Sequence, residues 1–279
     1  MRDRASIAAI ALIAVLALAN TGAEAFDESK YPDWRGQWLR TDAGIPRYDP
    51  NKPAGLGQQA PLTPEYQAML EASLKDQAAG GQGDDPTSTC LSPGLPRIMN
   101  NYEGAEFVIT PDTTHVLMEH IHDSRRIYTD GRAWPDYIEP SFAGYSIGHW
   151  VDEGHTGRFN VLEVETRGFK GPRTYDNSGM MLHTDNQSVI TERIFLDKDN
   201  PNLLHDEITT VDHALVRPWT ALKTYRRVQS PRPVWREAVC AEDNPHVNIQ
   251  HQDYMLSADG LLMPAKKNQP APDLKYFPR

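Results

Sequence analysis

Between Glu106 and Val228 apolar and polar residues alternate in short runs, with turn-formers such as Pro111-Asp112, Asp123-Ser124 and Asp130-Gly131 between them. The runs EFVITP, THVLMEHIH, RRIYT, AGYSIGHWV, FNVLEVET, SVITERIFL, LLHDEITTVD and TALKTYRRV carry β-branched or aromatic residues with a period near two, which predicts strands. No helix-length segment interrupts them. Successive short strands without crossover helices predict an antiparallel meander, which hides its edges by closing into a barrel or by packing as a sandwich. The fold class is mainly β.

Before this region the pattern changes. Residues 26–105 are rich in Pro and Gly and read as an N-terminal wrap containing one short helix. Thr63 is placed to cap that helix, Pro64 suits its first position, and Tyr66, Met69, Leu70 and Leu74 recur at helical spacing. The GGQGDDP run then ends it. Residues 106–240 are the expected barrel domain, and residues 241–279 are polar and Pro-rich with little periodicity, which predicts an irregular tail.

Residues 1–25 have Arg2 and Arg4, an apolar run from Ile7 to Ala19 and a closing Ala23-Glu24-Ala25, the layout of a cleaved signal peptide. The run is shorter than the roughly 20 residues a membrane span needs, and no later segment approaches that length. The expected location is the periplasm or the exterior. A formal net charge of -10 argues against nucleic acid or an anionic membrane surface as partner, since both call for clustered Lys and Arg. Cys90 and Cys240, the only cysteines, lie in no metal or redox motif, and an oxidising compartment favours a disulfide between them.

The blocks DDPTSTCLSPGLPRIM, RRIYTDGR, GYSIGHW, LEVETRGF, MLHTDNQSVITERI and VDHALVRPWT, in that order, resemble the recurrent blocks of a family of secreted bacterial proteins labelled hypothetical. The resemblance spans roughly Leu62 to Asn244 and implies a lipocalin-like β-barrel with no established activity. The family's H-x-x-R-x-I-Y-x-D-G-R-x-H-P pattern is matched by His122, Arg125, Ile127, Tyr128, Asp130, Gly131, Arg132 and Pro135. Trp134 stands where the family has its second histidine, and the longer DEGHTGRFN replaces a tight E-G-D-T turn.

Candidate chemistry gathers around MEHIHDSRRIYTDGR. His122, His183 and Asp185 can exchange or orient a proton near neutrality, while Arg126, Arg132 and Arg217 can hold an anionic oxygen. Tyr128, Tyr145, Trp150 and Trp219 are candidate pocket walls, with Arg217 beside the last; Trp219 after Pro218 reads first as a core plug at one barrel end. The competing reading pairs Arg125, Asp130, Glu192, Arg193 and Asp212 as structural ion pairs at the barrel rim. His120 and His122 at i and i+2, with His183 and a carboxylate from Glu119 or Glu192, form an alternative metal set, but Arg125 and Arg126 nearby oppose a cation, so no metal or other cofactor is expected.

No G-x-S-x-G, H-E-x-x-H, P-loop or G-x-G-x-x-G after a strand is present, so lipase-like, zincin, NTPase and dinucleotide chemistry lack support. The expectation is an exported barrel that binds a small apolar or aromatic molecule in its lumen. If it transforms that molecule, cofactor-free isomerase or lyase chemistry suits the residue inventory. A structural or interaction protein of the cell envelope, and a His-ligated metal-binding protein, are the alternatives.

Overall fold

The computed structural model describes residues 26–41, 60–100, 104–119, 124–236, 239–240, 246–249, 252–257 and 260–271. Nine strands close into one barrel: β1 (Gln37–Arg40), β2 (Ala105–Ile109), β3 (Thr113–Met118), β4 (Ser124–Tyr128), β5 (Tyr145–Val151), β6 (Val161–Arg167), β7 (Val189–Leu196), β8 (Leu203–Val211) and β9 (Trp219–Arg227). Every strand expected between Glu106 and Val228 is present, as β2 to β9. Residues 1–25, where a signal peptide is expected, lie outside the described residues.

Two features depart from a simple meander. β4 and β5 pair in parallel, Ile127 opposite Ser146 and Tyr128 opposite Ile147, because residues 129–144 carry the chain back along the barrel before β5 begins. The barrel is then closed by β1, a four-residue QWLR strand from the wrap, which sets Trp38 opposite Arg227 of β9 and Gln37 opposite Glu106 of β2. So brief a run carries too little alternation to be recognised alone.

The helix α1 (Pro64–Ala78) forms as expected, with Thr63 Oγ1 accepting the Tyr66 N–H at 3.4 Å and Pro64 in its first turn. Its buried positions are Leu70 and Ser73, whereas Leu74 is exposed. Ser73 donates to the Ser178 carbonyl at 2.9 Å and accepts the Asp84 N–H at 2.9 Å, so one buried hydroxyl ties the helix to two loops. The tail expected to be irregular instead builds a three-stranded sheet from β10 (His246–Ile249), β11 (Gln252–Leu256) and β12 (Leu262–Pro264), and the Tyr254 side chain is buried. Each strand is too short to announce itself, yet the three satisfy one another's backbone groups. Cys90 and Cys240 are disulfide-bonded with Cα atoms 5.6 Å apart, which fastens the wrap to the segment that leads into this sheet.

Period-two alternation decides what faces inward. On β8, Leu204, Asp206, Ile208 and Thr210 are buried; on β9, Trp219, Ala221, Lys223 and Tyr225 are buried. Trp38, Val116, Ile127, Leu162, Ile190 and Ile194 complete an apolar interior together with Leu95, Ile98 and Met99, which the wrap contributes. Fully burying each such side chain contributes about 1.5–3 kcal/mol. One barrel mouth is bounded by the β2–β3, β5–β6 and β7–β8 connections, the other by the 168–188 and 212–218 loops. A second apolar cluster, Leu70, Tyr175, Met180, Leu215, Trp219 and Ala221, caps the latter mouth. No helix among the described residues is long and apolar enough to cross a membrane.

Candidate functional site

The mouth bounded by the β2–β3 and β5–β6 turns holds an aromatic cleft. Asp27 caps a short 3₁₀ turn at Glu28–Lys30 by accepting the Ser29 N–H, and this turn delivers Tyr31 to the rim. The Tyr31 ring lies 5.0 Å from Phe26, 5.2 Å edge-on from Trp150 and 5.2 Å from Phe159. Trp34 sits deeper, 4.9 Å from Trp150 and 5.4 Å from Phe107, and its carbonyl accepts the Trp38 indole N–H at 2.9 Å. Phe26, Tyr31, Trp34, Phe107 and Ile109 wall a cleft of about 480 Å³, edged by Glu28, Asp33, Arg35, Glu106 and Arg158, with Trp150 packed behind Tyr31 and Trp34. Burial raises the Tyr31 hydroxyl above its ordinary pKa. The Nε1 groups of Trp34 and Trp150 are buried with no hydrogen-bond partner among the described residues, although buried indole N–H groups usually find one.

Below this aromatic layer the lumen has a charged centre. Arg125 reaches inward from β4 and donates through Nη1 to Glu192 Oε1 at 2.7 Å, through Nη2 to Thr166 Oγ1 at 2.9 Å and through Nε to Ser146 Oγ at 3.2 Å. A second guanidinium contact to Glu192 makes the pair bidentate. Asp206 is fully buried and neither carboxylate oxygen has a hydrogen-bond partner among the described residues. Burial above all, reinforced by the Glu192 charge, holds its carboxyl well above the usual range against the opposing pull of Arg125 and Lys223.

The opposite mouth carries the third cluster. His183 lies in the loop after β6, and its N–H donates to Asp212 Oδ1 at 2.9 Å. Its Nδ1 stands 3.2 Å from Asp185 Oδ1, and Asp185 Oδ2 bonds His213 Nδ1 from the loop after β8. Asp185 lies below its ordinary pKa: burial raises it, but the Gln187 N–H and the His213 hydrogen bond outweigh that. Asp212 also accepts from Ser188 Oγ at 2.5 Å and lies 4.0 Å from Arg173, whose own pKa burial depresses to about 10.

The candidate residues read from the sequence are therefore spread over separate places. His120 and His122, and with them the metal set built on HIH, lie outside the described residues. Arg126 and Tyr128 do share a face of β4, but it is the outer one, and Arg126 is exposed. Arg132 is bound to Asp130 at 2.7 Å, with its guanidinium 3.8 Å over the Tyr128 ring. The Tyr128 ring is 5.0 Å from Tyr145, and Trp134 is 6.0 Å from Tyr145 on the other side, so these aromatics form an outer cluster rather than a lumen wall. Arg217 is exposed and bonds the Pro218 carbonyl at 3.2 Å, while Trp219 plugs the barrel end against Tyr175, 4.5 Å away. Trp150 alone of the proposed walls backs the aromatic cleft. Glu119 is buried and accepts the Gly104 N–H at 2.9 Å and the Arg236 N–H at 2.5 Å, and Glu192 is committed to Arg125, so neither is paired with His183. Of the rim ion pairs weighed, Arg193 meets Glu153 at the surface, whereas Arg125–Glu192 is deep in the lumen.

Neither a protein-family model nor a curated protein matches the chain. Four functional candidates had no place in the sequence reading: Tyr31, Trp34, Asp206 and His213. Asp206 had a legible signal, since Leu204, Asp206, Ile208 and Thr210 share one parity and a carboxylate among such neighbours is anomalous. The others depend on loop-to-loop proximity that no local pattern encodes.

Proposed function

We propose that the chain is an exported β-barrel binding protein that holds a small apolar or aromatic molecule in the cleft at the Tyr31–Trp34 mouth. The observation that carries this is the cleft itself, about 480 Å³ and walled by Tyr31, Trp34, Phe107 and Ile109. Its volume lies within the roughly 300–1,000 Å³ typical of small-molecule sites, and it joins an aromatic and aliphatic wall to a charged edge that can fix a polar end of the ligand. The leader-like residues 1–25 and the Cys90–Cys240 bond support export. Binding is favoured over conversion because His183 and Asp185, the proton-transfer candidates, sit at the other mouth.

Titration with 1-anilinonaphthalene-8-sulfonate, followed by its fluorescence and by quenching of tryptophan emission, tests this reading. Saturable binding to the folded wild type is expected, weakened at least about tenfold by Ile109→Glu and unchanged by Arg126→Ala. Absence of saturable binding, or equal binding by Ile109→Glu protein with an unchanged urea midpoint, would refute it.

A further inference from the structure

His183, Asp185 and His213 converge from two loops that are far apart in sequence, and neither histidine is used in the cleft. One ligand atom from each of the three residues lies within 4.8 Å of the others. Zinc-type ions bond imidazole nitrogen and carboxylate oxygen at about 2.0–2.2 Å, which sets ligand atoms roughly 3–4 Å apart. The existing separations therefore need only small side-chain adjustments to surround an ion. We propose that His183, Asp185 and His213 form a binding site for one divalent transition-metal ion.

Several features point beyond a surface hydrogen-bond cluster. Asp185 Oδ2 bonds His213 Nδ1, and Asp185 Oδ1 lies 3.2 Å from His183 Nδ1, which accepts the Asp185 backbone N–H at 3.2 Å; the carboxylate thus stands between the two imidazoles, where a single cation could bridge all three side chains. Behind the cluster, buried Asp212 accepts the His183 N–H at 2.9 Å and the Ala214 N–H at 2.8 Å, fixing the backbones on which His183 and His213 are carried. That support is independent of the three side chains and holds the two loops in place beside each other. Among the described residues no lysine or arginine forms an ion pair with Asp185, whose side-chain partners there are His183 and His213; Arg173, which feels the Asp185 charge, lies against Asp212 instead.

The donor set also specifies the class of ion. Two imidazoles and one carboxylate select zinc, cobalt, nickel or copper over magnesium and calcium, which prefer oxygen-only shells. The His183 and His213 side chains are 37% and 61% exposed, so the remaining coordination positions face solvent. Three protein ligands with open positions describe a site that can admit water or a small anion, unlike the closed four-ligand structural sites.

The test uses the untagged full-length chain and two probes. Zn²⁺ uptake is measured by calorimetry, and Co²⁺ by its visible absorption. One equivalent is expected to bind, with affinity at least about tenfold weaker in His183→Ala, His213→Ala and Asp185→Asn, and unchanged in His246→Ala. Zn²⁺ should also slow carbethoxylation of His183 and His213 in the wild type, a readout that does not depend on any variant folding. The proposal is overturned if no stoichiometric uptake occurs, or if the His183→Ala/His213→Ala double variant binds as the wild type does. It is equally overturned if binding is lost in His120→Ala or His122→Ala while the His183 and His213 variants retain it.

Discussion

Asp206 stands directly opposite Lys223 in the β8–β9 ladder, and both side chains are buried inside the barrel. Because the Asp206 carboxyl is raised in the folded state, chiefly by burial, the folded chain keeps its proton to higher pH than the unfolded chain does. Stability from this group is fully present below the unfolded carboxyl pKa near 4 and is lost as pH rises toward the folded value, by up to about 1.4 kcal/mol per unit. Asp206→Asn removes the dependence. The variant should gain stability over the wild type at pH 7 and little at pH 4 in urea titrations; an advantage that shrinks with rising pH would contradict the assignment.

The Arg125–Glu192 pair is almost wholly withdrawn from water, with 1% and 0% of the two side chains exposed. Arg125→Met leaves a carboxylate without its partner in the lumen and should cost about 3–5 kcal/mol. Replacing both residues, as Arg125→Met/Glu192→Leu, should recover most of that loss, since two apolar side chains need no compensation. A double variant no more stable than the single one, measured by denaturant midpoint, would show that Ser146 and Thr166 depend on the guanidinium as much as Glu192 does.

Cys90 and Cys240 are 150 positions apart, and a link across so long a loop restricts the unfolded chain heavily. The chain-entropy model assigns it about 4–5 kcal/mol. Replacing both with Ser should lower the urea midpoint accordingly while leaving the far-ultraviolet circular dichroism of the barrel unchanged. An unchanged midpoint would mean that the wrap is held to the barrel by packing alone.

Gly148 lies on β5 beside the parallel β4 strand, where a Cβ would come within 2.6 Å of Ile127 Cγ2 and 3.1 Å of Leu162 Cδ1. Gly148→Val should therefore overpack the lumen beside the parallel β4–β5 pairing and cost about 1–3 kcal/mol. If Ile127→Ala partly restores stability in the Gly148→Val background, the clash is the cause.

Much of this architecture was readable in advance where strands are long enough for their alternation to show. The β6 to β9 segments name their own inward residues, and Trp219 could be read as a plug from its place after Pro218. Parity also put Arg126 and Tyr128 together, but it cannot say whether a shared face is inner or outer; that depends on Arg125, whose charge is tolerated inside only because Glu192 arrives from β7. β1 escaped notice because four residues carry no periodic signal. His213 did so because its neighbour Asp185 is brought to it by the meeting of two loops rather than by spacing.

The closing strand has a consequence for how the molecule comes into being. β1 leaves the ribosome early, yet its partner β9 is among the last segments of the barrel to be made. Until residues 219–227 exist, the sheet keeps two open edges and the QWLR strand has only β2 to pair with. The complete ring is thus a late event that joins distant parts of the chain, the kind of long-range pairing that slows folding and leaves edges exposed to association in the meantime.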